Sequence, residues 1–181
     1  MLQTFSRQWA RAELACAATL AAAVTALILL NVLTRNLGLA LFWVDELAIY
    51  AMIWMTLLAA SAAVHHKDAV AVTIVTDALP QAIAQMLSRL VDAVIFALAL
   101  LTAWFCWRWF LPLEFARAGF DVETFQGATF NFIYSEATST LGVRKVWVWS
   151  IMWIFAFGLI LHSLNNLLNN LTTAADRKEQ S

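Results

Sequence analysis

The chain has little of what soluble proteins use to face water or to turn: only 13% of its 181 residues are charged, and it holds five glycines and two prolines. A soluble domain carries about 25% charged residues, so a chain this depleted would not stay dispersed in water. Few breakers imply few, long elements. Cysteine is as scarce. Cys16 and Cys106 each sit inside an apolar run, which reads as two small core residues and excludes a disulfide framework. The net charge is −1 with a pI near 6.3, which excludes nucleic acid as a partner. There is no Gly-rich phosphate loop, no CxxC, no nucleophile elbow and no HExxH, so no motif argues for an enzyme, a metal or a cofactor.

What is present is hydrophobic: 62% of the residues. Uncharged runs cover Leu14–Leu33, Leu47–Val64, Ala93–Trp107 with extensions on both sides, and Val146–Leu161 continuing past His162 to Leu168. At ~1.5 Å per residue, about 20 residues cross the ~30 Å hydrocarbon core of a bilayer. None of the runs alternates apolar and polar residues as a barrel strand must, and helices alone then satisfy their backbone in lipid. The expected fold is an all-α integral membrane protein. It forms one domain over 1–181, with four transmembrane helices at about 14–34, 46–64, 90–111 and 146–168 plus short interfacial helices.

The first run is too long for the ~7–15 apolar residues of a secretory signal, so it is expected to stay as a span. Ahead of it, Leu2, Phe5 and Trp9 fall at helical spacing, with Ser6, Arg7 and Arg11 off that stripe, as in a short helix lying among headgroups. Residues Thr34–Glu46 form a tight connection that makes the first two spans antiparallel neighbours. The second span ends at His65-His66-Lys67-Asp68, and Ala69–Leu79 is apolar but too short to cross. The connection from Arg108 to Lys145 is rich in Phe and is expected to pack at the membrane face or against another protein. Small residues recur at four-residue spacing at Ala18, Ala22 and Ala26 and at Ala59 and Ala63, faces that let helices approach closely. Trp104, Trp107, Trp109, Trp147, Trp149 and Trp153 suit headgroup-level anchoring in membrane lipids.

Four spans place both termini on one side. That side carries six basic residues and the other five, a slight bias toward cytoplasmic termini. Polar groups at membrane depth are few: Asn31, His162 and Asp92, the last placed one turn inside the third span beside Arg89 in a structural role. The first span is read as lacking an embedded acid. A polar cluster gathers instead at the first hairpin. Arg35 follows the carboxyl end of the first span, Asp45 and Glu46 open the second, and Asn31 and Trp43 lie within a turn of them. Lipid anchoring and docking of a partner subunit both explain it.

At this hairpin the chain resembles the small membrane subunit of tripartite ATP-independent periplasmic (TRAP) transporters. The resemblance rests on Asn31-Val32-Leu33-Thr34-Arg35, on Trp43-Val44-Asp45-Glu46-Leu47 with Trp54 further along, on Val70-Ala71-Val72 and Leu79-Pro80, and on Thr140-Leu141-Gly142-Val143 followed by Trp147. The chain departs from the family at Ala69 and Thr73, where His and Asp are expected, and at Arg144, where proline is usual. The resemblance implies a non-catalytic scaffold in the bacterial inner membrane. It would brace a large multi-pass subunit for sodium symport of an organic acid, which a periplasmic solute-binding protein delivers. An alternative is a b-type cytochrome anchor, with His65 or His66 and His162 as haem ligands. A third reading, a self-sufficient multidrug exporter, wants the embedded acid that the first span is read as lacking.

Overall fold

The computed structural model describes residues 1–66 and 79–179. Its elements are α1 (Leu2–Asn36), α2 (Phe42–His66), α3 (Gln81–Phe110), α4 (Pro112–Arg117), α5 (Val122–Thr129), α6 (Lys145–Trp149) and α7 (Ile151–Glu179). Among the described residues, four helices are long and apolar enough to cross a membrane: Leu2–Asn36, Phe42–His66, Ile83–Arg117 and Lys145–Asn169. The expected all-α membrane architecture is therefore present. The apolar segment Ala69–Leu79 falls, except for its last residue, outside the described residues.

Three boundaries differ from the sequence reading. The amino-terminal stretch is continuous with the first span, giving a helix of 35 residues, ~52 Å at ~1.5 Å each. Nothing between Leu2 and Leu14 interrupts its hydrogen-bond ladder, since Arg7, Arg11 and Glu13 are all good helix formers. The connection to α2 is correspondingly shorter, turning at Gly38 with φ +77°, a left-handed conformation that glycine adopts without a steric penalty. α3 begins at Gln81, immediately after Pro80, whose carbonyl accepts from Ile83 and Ala84. Asp92 accordingly lies about three turns inside the helix rather than one, beyond the reach of the helix-start dipole.

α1 packs along α2, α3 packs along α7, and α2 with part of α1 closes against α7. α7 is thus the central helix. Of the four spans it is the most buried within the chain, while α1, α2 and α3 show most of their apolar surface to the outside. The buried stripe of α1 is Ser6, Ala10, Glu13, Ala17 and Val24. That of α2 is Val44, Ala51, Leu58, Ser61 and Ala62. Small residues at these positions bring the backbones close, which matters because lipid gives helices no hydrophobic reason to associate. The small-residue stripe Ala18, Ala22 and Ala26 faces outward, away from this packing.

The Arg108–Lys145 connection is a small folded unit. Phe115 stacks on Tyr134 at 3.9 Å between centroids, and Phe125, fully buried, meets both edge-on. α3 ends at Leu111 in a left-handed cap, where Tyr134 Oη donates to Phe110 O (2.8 Å) and Asn131 Nδ2 to Trp109 O (2.7 Å). These satisfy carbonyls that a helix end leaves without partners. Phe120, Phe130 and Phe132 remain exposed.

Candidate functional site

The structure brings together most of the hairpin residues singled out from the sequence. Asn31 Nδ2 donates to Asp45 Oδ1, Arg35 Nε donates to Asn31 Oδ1 (3.0 Å), and an Arg35 terminal nitrogen pairs with Asp45 Oδ2 (2.7 Å). The three side chains tie the end of α1 to the start of α2. Trp43 stands apart from them, 40% exposed.

Glu46 turns away from this cluster. Its carboxylate accepts from the backbone N–H groups of Ser139 (2.8 Å), Thr140 (2.6 Å) and Leu141 (3.1 Å), from Thr140 Oγ1 (2.6 Å) and from Tyr50 Oη (3.0 Å). Glu46 therefore fixes the loop that leads into the fourth span. Trp54 acts on the same span further along. Its Nε1 donates to Val148 O (2.7 Å), beside the break between α6 and α7 at Ser150. A side chain that takes a carbonyl out of the helical ladder is an identifiable cause of such a break. Asp92 is buried in α3, away from the hairpin.

A second polar cluster, at the opposite end of the bundle, was missed. Glu13 is 3% exposed in α1 and faces α7, where its Oε2 meets His162 Nε2 at 3.0 Å. Its Oε1 accepts from Trp9 Nε1 (2.9 Å). His162, fully buried, turns its Nδ1 to Ser6 Oγ (2.8 Å), and His65 Nδ1 reaches the same oxygen from α2 (2.8 Å). Gly158 makes the approach possible, because a Cβ there would overlap Ser61 Oγ and Glu13 Oε1. Nearby, Asn166 Nδ2 donates to Val64 O (2.7 Å), capping the carboxyl end of α2.

This cluster corrects two readings. The first span does carry a buried acid. The Leu2, Phe5 and Trp9 stripe does not belong to a separate headgroup-level helix either, since it is continuous with α1, where Phe5 is exposed and Ser6 is fully buried. In a membrane chain the apolar side faces lipid and the polar side can face the protein, so the usual rule runs backwards. The signal available was the spacing of Ser6, Ala10, Glu13 and Ala17. Cys16 likewise faces outward, onto a groove, while Cys106 is buried, and both thiols are free.

The histidines do not suit a haem. Axial ligation needs two imidazole nitrogens aimed at one iron from opposite faces of a macrocycle. Here both Nδ1 atoms converge on one serine hydroxyl, the rings are 5.1 Å apart, and His162 Nε2 is taken by Glu13.

Two of the grooves among the described residues border this cluster. One of about 520 Å³ is apolar and lies between α1, α2 and α7, lined by Trp9, Cys16, Leu20, Trp54 and Ile154 with Glu13 at its edge. The other, about 290 Å³, is polar and is lined by Arg7, His65, Asn165, Asn166 and Asn169.

No curated protein and no solved structure matches the chain. Residues 24–173 match the sequence model of one family, described as tripartite ATP-independent periplasmic transporters, DctQ component. With four membrane-spanning helices and a match over most of its length, the chain belongs to this family, the small membrane component of TRAP transporters.

Proposed function

We propose that the chain is a non-catalytic brace for the large membrane subunit of its transporter. Sodium-coupled uptake of an organic acid, delivered by a periplasmic solute-binding protein, would be carried by those partners in the bacterial inner membrane, with the termini of this chain cytoplasmic. The observation that carries the reading is the outward position of Ala18, Ala22 and Ala26 on α1. Such a stripe lets a second helix approach closely, and this chain's own helices use a different face. The internal polar groups support the reading too. Glu46, Asp45, Arg35 and Asn31 bond to one another or to backbone and lock helices together, as a rigid support requires.

Co-purification and uptake test this. Ala18→Leu/Ala22→Leu should release the large subunit and cut uptake by reconstituted complex, while the variant still inserts. Asp45→Ala, which opens the hairpin cluster, should weaken assembly to a lesser degree. Full co-purification of the double leucine variant, or solute transport by this chain alone in liposomes, would remove the brace from consideration.

A further inference from the structure

The Glu13 cluster has a property that bracing does not need. We propose that Glu13 is a buried proton-binding site, loaded from the polar pocket through a relay of His65, Ser6 and His162. The proposal does not depend on the brace reading, and Ser6 and Glu13 lie outside the residues matched by the family.

The hydroxyl of Ser6 lies 2.8 Å from both His65 Nδ1 and His162 Nδ1. It has one proton to donate, so it can donate to only one ring and must accept from the other. That single constraint orders the whole chain. With Glu13 ionised, its Oε2 accepts from His162 Nε2–H, the bare Nδ1 of His162 accepts from Ser6 O–H, and the Ser6 oxygen accepts from His65 Nδ1–H. His65 Nε2 is then bare, on a half-buried ring that lines the polar pocket.

A proton arriving at His65 Nε2 lets the Nδ1 proton of that ring pass to Ser6. The serine's own proton passes to His162 Nδ1, and the Nε2 proton of His162 passes to Glu13 Oε2. One proton enters and one carboxylate becomes a carboxylic acid. No other group changes charge, every hydrogen bond of the relay survives with its direction reversed, and Trp9 Nε1 goes on donating to Glu13 Oε1. The relay thus changes the charge at the edge of the apolar groove without opening the bundle. A lone carboxylate in this place would be costly, and a route for neutralising it offsets that cost.

Among the described residues, the groups that bear on the site come from α1, α2 and α7, and α3, which packs along α7, carries the buried Asp92. α1 supplies Ser6 and Trp9, with Arg7 at the pocket and Arg11 exposed. α2 supplies His65, the exposed His66, and Ser61, whose buried hydroxyl makes no hydrogen bond. α7 supplies His162, Asn165 and Asn166. Among the described residues, Glu13 is the acid at which the chain of hydrogen bonds ends.

Infrared difference spectroscopy on the full chain in nanodiscs, after a rapid drop in pH, tests the proposal. Acidification should raise a carboxylic C=O band that moves in D2O and is missing from Glu13→Gln. In Ser6→Ala the band should rise about tenfold more slowly, the effect of one lost hydrogen bond on a barrier. Ser6→Thr should keep the original rate. Should Ser6→Ala fail to fold, His65→Phe, which removes the receiving nitrogen at a half-buried position, should show the same slowing. A band that persists in Glu13→Gln, or an unchanged rate in the folded relay variant, would overturn the assignment.

Discussion

Gly158→Ala is the sharpest probe of how the bundle holds together, because opposing effects of known size meet at one atom. In an exposed helix, alanine would be favoured over glycine by about 1 kcal/mol. Here the added Cβ would overlap Ser61 Oγ and Glu13 Oε1 and come within 3.3 Å of Trp9 Nε1. Overpacking of this kind costs about 1–3 kcal/mol when neighbours can shift. Glu13 cannot shift freely, since Trp9 holds one carboxylate oxygen at 2.9 Å and His162 the other at 3.0 Å. Opening a buried hydrogen bond to a carboxylate costs about 1.5–3 kcal/mol, so the more economical response is a backbone displacement of α7. The balance is a loss of about 2 kcal/mol. Reversible unfolding in SDS, followed by helicity, measures it directly. Ser61→Ala alone should cost nothing, because its hydroxyl is buried without a partner. Placed in the Gly158→Ala background it should recover part of the loss, with Glu13 accounting for the remainder. A Gly158→Ala protein as stable as the parent would refute the packing argument.

Trp54→Phe keeps the ring but removes the donor to Val148 O, and should cost about 1 kcal/mol in the same assay and speed amide exchange around Ser150. Glu46→Gln should accelerate exchange of the Ser139, Thr140 and Leu141 amides with little change at the other end of the bundle, and uniform acceleration would contradict its local role. Asp121 caps α5 by accepting from Thr124 N (2.7 Å), and hydrogen bonding by the Thr124 side chain, followed by this backbone bond, holds its carboxyl below the usual carboxylate range. The cap is therefore fully present above the ordinary Asp range and is lost as pH falls through the lowered value, so protection of the Thr124 amide should follow that acid limb and vanish in Asp121→Ala.

Hydropathy made the spans legible because only four long helices can shelter so many apolar residues in lipid. The hairpin was legible for a second reason: Asn31, Arg35 and Asp45 are close in sequence, and α1 and α2 are joined by so short a turn that their ends have to meet. The Glu13 cluster joins residues separated by up to 156 positions. No local pattern could announce that Ser6 and His162 would share a hydrogen bond. Periodicity marks an apolar face of α1 at Leu2, Phe5 and Trp9, but the buried face of Ser6, Ala10, Glu13 and Ala17 mixes polar and small residues and carries no apolar signal. Asp92 shows a related difficulty. Its depth depended on where α3 starts, and Pro80 set that start earlier than the charge of Arg89 suggested.

Polar contacts at the two ends of the bundle act together through their positions. Glu46 fastens α2 to the loop before the fourth span at one end, and Glu13, Ser6 and His65 fasten α1 and α2 to α7 at the other. Trp54 adds a bond between α2 and α6 along the way. Apolar helix faces in lipid slide past one another at little cost, because lipid solvates them nearly as well as protein does. Hydrogen bonds at both ends remove that freedom, since any slip would leave a carboxylate or an imidazole without its partner. Register in this chain is therefore held by a small number of polar contacts at the two ends, added to the close packing of the small-residue stripes. A protonation event at one of those contacts would act on one of the few interactions that keep the helices in register.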